Sequence, residues 1–159
     1  LRTFLPDEAR VLELGLGPGK DLEYMARFFR VLGTDKSQAF LDLFAEDNPE
    51  IPTQLLDART MEINQRFDCI YSNKVLQHLS IQELQTSLTL QAQKLNSQGI
   101  LFHTFWLGDG EEHYEGLKFV YYRPKDIISM SEKDFDILSV QDYGEEEPGD
   151  SFYIVLQRK

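Results

Sequence analysis

The sequence predicts an α/β fold: a three-layer sandwich around a mostly parallel seven-stranded sheet that finishes in an antiparallel hairpin. Three observations predict it. Short apolar runs alternate with helical patterns along most of the chain, the signature of βαβ units. The last two apolar runs have no helix between them, so they pair as a hairpin. Three glycines, Gly15, Gly17 and Gly19, stand between the first strand and the first helix, at the sheet edge where open α/β folds bind ligands. With 159 residues, 42% of them apolar, the chain has material for one such domain, spanning 1–159, with a sizeable core.

Each element follows from its own pattern. Val11-Leu12-Glu13-Leu14 is a short, nearly continuous apolar run ending in glycines, hence a buried strand. Leu22, Met25, Ala26 and Phe29 recur at helical spacing over 21–29. Arg30 to Thr34 forms the second strand. Ser37 then caps a helix whose apolar face is Phe40, Leu43 and Phe44, ending before Pro49. Thr53 to Leu56 and Phe67 to Ser72 are the third and fourth strands. Ser80-Ile81-Gln82-Glu83 is a capping box opening a long helix with Ile81, Leu84, Leu88, Ala92 and Leu95 on one stripe, closed by Gly99. Ile100 to Trp106 is the fifth strand, and Pro124 takes the first position of a helix over 125–130. Phe135 to Val140 and Phe152 to Leu156 are the hairpin strands, joined through Gly144, three glutamates and Pro148-Gly149. The stretch from Leu107 to Arg123 shows no clean periodicity and reads as an irregular lid over the sheet edge.

Charge and cysteine usage narrow the partners. A formal net charge of −11 repels phosphate backbones and anionic lipid, which argues against nucleic-acid and membrane-surface binding. The single cysteine, Cys69, lies inside the fourth strand, where it packs in the core. It forms no internal disulfide or cysteine-based metal site, and no carboxylate cluster reads as a metal centre. This fits a reducing cytoplasm. No apolar run approaches the length of a membrane span. The sequence opens at Leu1 rather than methionine, so the expectation is that an upstream segment is missing from it.

The sharpest local signal is Glu13-Leu14-Gly15-Leu16-Gly17-Pro18-Gly19. Glycines let the backbone approach a ligand closely, and Asp35, about twenty residues on at the end of the second strand, suits ribose hydroxyls. Two cofactor classes share that much. A nicotinamide dinucleotide wants G-x-G-x-x-G and a pyrophosphate on the helix start, but Lys20 stands where its third glycine belongs. Glu13 would repel a pyrophosphate and attract an ammonium. A ligand joining adenosine to a cationic amino acid therefore suits Glu13 and Asp35 better.

These motifs resemble those of class I S-adenosylmethionine-dependent methyltransferases, in detail the small bacterial "type 11/12" methyltransferase domains. The resemblance runs through Glu13 to Gly19, Asp35, Leu56-Asp57-Ala58, Phe67 to Asn73 and Val75 to Leu79. It continues in Lys94-Leu95 to Leu101, where Asn96-Ser97-Gln98 departs from the family's L-x-P-G-G turn. It implies a Rossmann-like fold, S-adenosylmethionine as cofactor and a small-molecule acceptor. It also implies roles. Glu13 faces the methionine ammonium, Gly15 and Gly17 offer backbone to the methionine, and Asp35 takes the ribose. Lys36 lies beside the adenine, Asp57 and the Ala58 amide address the ring, and Asn73 holds the amino-acid end through its backbone.

Methyl transfer from a sulfonium needs positioning and desolvation first, and a base only if the accepting atom carries a proton. His78, after the fourth strand, either serves as that base or packs within its loop. His103 lies inside the fifth strand and reads as structural, and His113 as exposed. Trp106, Tyr121 and Arg123 are the candidate substrate contacts. The rival readings are a catalytically silent module with the same fold and an NAD-dependent oxidoreductase.

Overall fold

The computed structural model describes residues 1–159. Nine strands and four helices follow one another as β1 (Arg10–Leu14), α1 (Lys20–Met25), β2 (Arg30–Asp35), α2 (Gln38–Asp47), β3 (Thr53–Leu55), β4 (Phe67–Asn73), α3 (Ile81–Lys94), β5 (Leu95–Trp106), β6 (Glu111–Tyr114), β7 (Leu117–Val120), α4 (Pro124–Ser131), β8 (Phe135–Tyr143) and β9 (Ser151–Arg158), with a 3₁₀ turn at Leu76–His78. Seven strands make one sheet in the order β3-β2-β1-β4-β5-β9-β8. β9 lies antiparallel between β5 and β8, as the missing helix before it predicts, and the other pairings are parallel. The chain runs outward from β1 to β2 and β3, then returns to β4 on β1's other side. That reversal opens a crevice past the carboxyl ends of β1 and β4, the switch point where such sheets take ligands.

Side chains of successive strand residues point to opposite faces, and the two cores follow that alternation. Val11, Cys69 and Ile100 pack with Leu22 and Met25 of α1 and Leu41 and Phe44 of α2. Leu12, Ile70 and Leu101 pack with Leu84, Leu88 and Ala92 of α3 and Ile127 of α4. The result is the expected three-layer α/β sandwich. No helix is long and apolar enough to cross a membrane.

Four local expectations are corrected. α1 ends at Met25 rather than Phe29, and residues 26–28 continue as turn with a bend at Phe29. The Ser37 side chain makes no capping bond; its backbone N–H donates to Asp35 Oδ1 instead. The stripe through Leu95 is cut at Lys94 because Leu95 turns extended and pairs with Phe67 of β4. The segment after it bulges, with Gln98 at φ 61°, before Ile100 pairs with Cys69. Finally, the stretch expected to be irregular contains the β6–β7 hairpin. Its two-residue turn, Glu115-Gly116, has both residues at positive φ, the twist that tight hairpins require. All four β6 residues are exposed, so no buried face imposed an alternating pattern on the sequence.

The glycine loop is shaped by what surrounds it. Gly15, Gly17 and Gly19 all have positive φ. A Cβ at Gly15 would lie 2.5 Å from Val75 Cγ2, and one at Gly19 would lie 2.0 Å from Phe44 Cδ2. The loop is thus pressed against both the segment after β4 and helix α2. Gly19→Ala forces a left-handed alanine into the Phe44 ring, and a loss of about 1–3 kcal/mol is expected. Urea unfolding measures it; an unchanged midpoint would mean that the loop is not seated on α2.

Candidate cofactor site

The switch-point crevice is a cleft of about 320 Å³. Its walls bring together Gly15, Asp35, Lys36, Asp57, Ala58 and His78, six residues singled out from separate parts of the sequence. Glu13 lies beneath the glycine loop and Gly17 beside it, tied to Asp35; Asn73 ends β4 across the switch point.

Glu13 is only 2% exposed. It points to the α1 side of the sheet, the face of its neighbour-but-one Val11, and pairs laterally with Gly33 and Tyr71. Its Oε2 atom has no hydrogen-bond partner in the chain. Burial, then the negative charges of Asp21 and Asp35, push its carboxyl up to about 9. A buried acceptor with no donor costs about 1–3 kcal/mol, and an ammonium is the donor that removes both the desolvation and the repulsion. The site therefore fits a group carrying a cation over the glycine loop.

Asp35 and Asp57 are already engaged. Asp35 accepts from the Gly17 N–H at 3.1 Å and the Ser37 N–H at 2.9 Å, joining the glycine loop to the start of α2. Asp57 accepts from the Arg59 N–H and side chain, which holds its carboxyl below the usual carboxylate range. Arg59 also reaches Glu83 of the capping box at 3.6 Å. Sequence reading passed over Arg59, because pairing two residues apart in a turn carries no periodic signal.

A buried polar chain supports the Asp57-Ala58 turn from behind. Ser72 Oγ lies 2.8 Å from His103 Nδ1, His103 Nε2 lies 2.9 Å from Gln91 Oε1, Gln91 Nε2 donates to Ser87 Oγ, and Ser87 Oγ donates to the Ala58 carbonyl. All donors run in one direction if His103 is neutral with its proton on Nε2, and burial presses its pKa down to about 3. His103 is thus structural, as its position inside the strand suggested, and it steadies a turn in the cleft wall.

On the opposite side, Asn73 donates to Asp21 Oδ2 and accepts from Thr104 Oγ1, while Tyr71 Oη also donates to Asp21 Oδ2. Lys74 follows with φ 57°. Its ammonium lies 2.5 Å from Ser151 Oγ, 3.3 Å from Glu145 and 3.5 Å from the centre of the Trp106 ring. Burial lowers its pKa. Lys74 lines the cleft and was not singled out in the sequence, since its partners come from β5, β9 and the β8–β9 connection. His78 Nδ1 lies 2.8 Å from the Lys118 carbonyl, and its ring meets Phe119 edge to face at 4.6 Å. A carbonyl can only accept, so Nδ1 carries a proton and Nε2 is the acceptor in the neutral ring.

Trp106 and Tyr121 line a second cavity with Tyr114, Phe119, Glu112 and Glu147, bounded by the β6–β7 hairpin and the β8–β9 connection. Tyr121 Oη donates to Glu112. Arg123 lines neither this cavity nor the cleft; its guanidinium pairs with Asp109.

Comparison with known proteins agrees with this geometry. The family model described as a methyltransferase domain matches residues 11–99. Trans-aconitate 2-methyltransferase of Variovorax paradoxus is 41% identical over 80 residues, covering 48% of this chain and 31% of that protein. A dTDP-4-amino-2,3,4,6-tetradeoxy-D-glucose N,N-dimethyltransferase of Saccharopolyspora spinosa is 31% identical over 71 residues, covering 44% of this chain and 28% of that one. The chain thus spans about a third of the length of these curated relatives. In fold it is similar to 1,6-didemethyltoxoflavin-N1-methyltransferase of Burkholderia thailandensis, with a TM-score of 0.84 at 17% identity, covering 100% of this chain and 75% of that one. With a family model matched from β1 through the bulge that precedes Ile100, this chain belongs to the methyltransferase domain family.

Proposed function

We propose that the chain is an S-adenosylmethionine-dependent methyltransferase acting on a small-molecule acceptor. The observation that carries the reading is Glu13: a buried, unpartnered carboxyl under the glycine loop, in a place where a dinucleotide fold seats a pyrophosphate. It is the wrong charge for phosphate and the right one for an ammonium. The relatives named above act, by their names, on small molecules, and the second cavity beside Trp106 and Tyr121 suits one.

When bound, S-adenosylmethionine supplies an activated methyl group on a sulfonium. Glu13 would take the ammonium, Gly15 and Gly17 would offer backbone to the methionine, and Asn73 would hold that end through its backbone. Asp35 would accept from the ribose while keeping its two amide bonds, since each carboxylate oxygen has a further lone pair. Lys36 would flank the adenine, and Asp57 and Ala58 would meet its edge. The Ala58 N–H has no acceptor in the chain, which leaves it available. His78 would receive an acceptor proton at Nε2. Trp106 and Tyr121 would wall the acceptor, and Arg123, through Asp109, would brace the segment that carries Tyr121.

Isothermal titration with S-adenosylmethionine, S-adenosylhomocysteine and NAD tests the reading: heat with the first two and none with NAD is expected, and no heat with either sulfur ligand would sink it. Asp35→Ala should weaken S-adenosylhomocysteine binding by about 1.5–3 kcal/mol, because charge-assisted hydrogen bonds are lost. Unchanged affinity would place the ribose elsewhere. His78→Asn keeps a donor for the Lys118 carbonyl and loses the ring base. It should leave cofactor affinity intact and reduce turnover by about 10²–10⁴-fold, followed as S-adenosylhomocysteine formation over panels of carboxylic acids and amines; full turnover would exclude the base role. Glu13→Gln should stabilise the ligand-free protein while weakening cofactor binding. The native carboxyl binds its proton more tightly than the unfolded one, so its contribution to stability is complete below about 4.5 and is lost as pH rises to about 9. The stability gap between Glu13→Gln and the parent should therefore widen with pH, by at most about 1.4 kcal/mol per unit. A constant gap in urea melts across that range would refute the shift.

A further inference from the structure

Three carboxyl groups converge under and beside the glycine loop: Glu13 of β1, Asp21 of α1 and Asp35 of β2. Two of them accept hydrogen bonds from donors that the fold supplies. Asp21 Oδ2 accepts from Tyr71 Oη at 2.7 Å and Asn73 Nδ2 at 3.0 Å. Asp35 accepts two backbone N–H groups. Glu13 receives no hydrogen bond and makes no ion pair, and its Oε2 is sealed from solvent. The ionisable groups facing it are Asp21 from the helix, Asp35 from one neighbouring strand and the Tyr71 hydroxyl from the other. None of them bears a positive charge. A carboxyl that is buried, receives no hydrogen bond and has other acids beside it favours its neutral form.

We propose that Glu13 is a neutral carboxylic acid in the ligand-free protein and that seating an adenosyl amino acid expels its proton, so that cofactor binding releases a proton. The inference rests on the cofactor reading above and adds to it a coupling between pH and occupancy. The step balances simply. The Glu13 O–H bond breaks, the proton goes to solvent, and the carboxylate left behind accepts from the ligand's ammonium, which keeps its own protons. The rise of the Glu13 pKa through burial and like charge agrees with the starting state. An opposite charge at contact in a low-dielectric site reverses both causes.

The consequence is a cofactor site that strengthens as pH rises through the neutral range. It also discriminates within the adenosyl ligands, because only those with the amino-acid end can expel the proton. Titration of S-adenosylhomocysteine at pH 7.5 in phosphate and in Tris, whose ionisation heats differ, counts the protons. A release of about one proton per ligand is expected, and the apparent Kd should fall by about tenfold from pH 7 to pH 8. 5′-Methylthioadenosine, which lacks the amino acid, should bind with no release. Glu13→Gln, confirmed folded by its melt, should bind S-adenosylhomocysteine more weakly, with no release and no pH dependence. Binding of S-adenosylhomocysteine with equal heats in the two buffers and a flat pH profile overturns this inference and leaves the cofactor reading standing. Failure of both adenosyl ligands to bind overturns the two together.

Discussion

Placing a carboxyl where water cannot reach it is the most expensive choice in this molecule, and the rest of the cleft is arranged around it. Glu13 stands at the fourth position of β1, flanked by β2 and β4 and covered by the glycine loop and α1. A strand residue buried on both faces is normally apolar, and Val11, Leu12 and Leu14 obey that rule. The exception costs stability, because a buried acceptor with no donor has lost its hydration without replacement. Such local departures from good packing mark functional positions.

The neighbouring acids show how the fold accommodates three carboxyl groups around one loop. Asp21 is held by Tyr71 and Asn73, and Asp35 by the amides of Gly17 and Ser37. The same bonds position the loop: Asp35 ties it to α2, while Gly15 and Gly19 let it lie against Val75 and Phe44. Electrostatics and shape are therefore set by the same few contacts. On the far side, Lys74 is drawn toward Trp106, Glu145 and Ser151. That cage links the end of β4 to β5, to the β8–β9 connection and to the first residue of β9.

The order of strands and helices, the three-layer class, the terminal hairpin and the glycine loop were legible in the sequence because each leaves a short-range trace: apolar period, capping residues, glycines at a strand end. Residues as distant as Gly15, Asp35, Asp57 and His78 were expected in one site and line one cleft. Of the corrected stretches, two show the physical reason most plainly. The β6–β7 hairpin has no buried face to impose a pattern on β6, and its only local mark is the Glu115-Gly116 turn. The start of β5 at Leu95 continues a helical stripe, and its pairing with Phe67 of β4 wins over that local preference.

By itself, the sequence determined the α/β class, the terminal hairpin and the glycine loop at the switch point. Those depend on residue type and near-neighbour spacing. Only the tertiary structure decided which acid lacks a donor, that Asp57 is engaged by Arg59, that His78 holds its Nδ1 proton against Lys118, and that His103 serves the Ala58 turn through Gln91 and Ser87. Hydrogen-bond partners and desolvation are properties of distance in space. Residues far apart along the chain acquire them only when the sheet has closed around them.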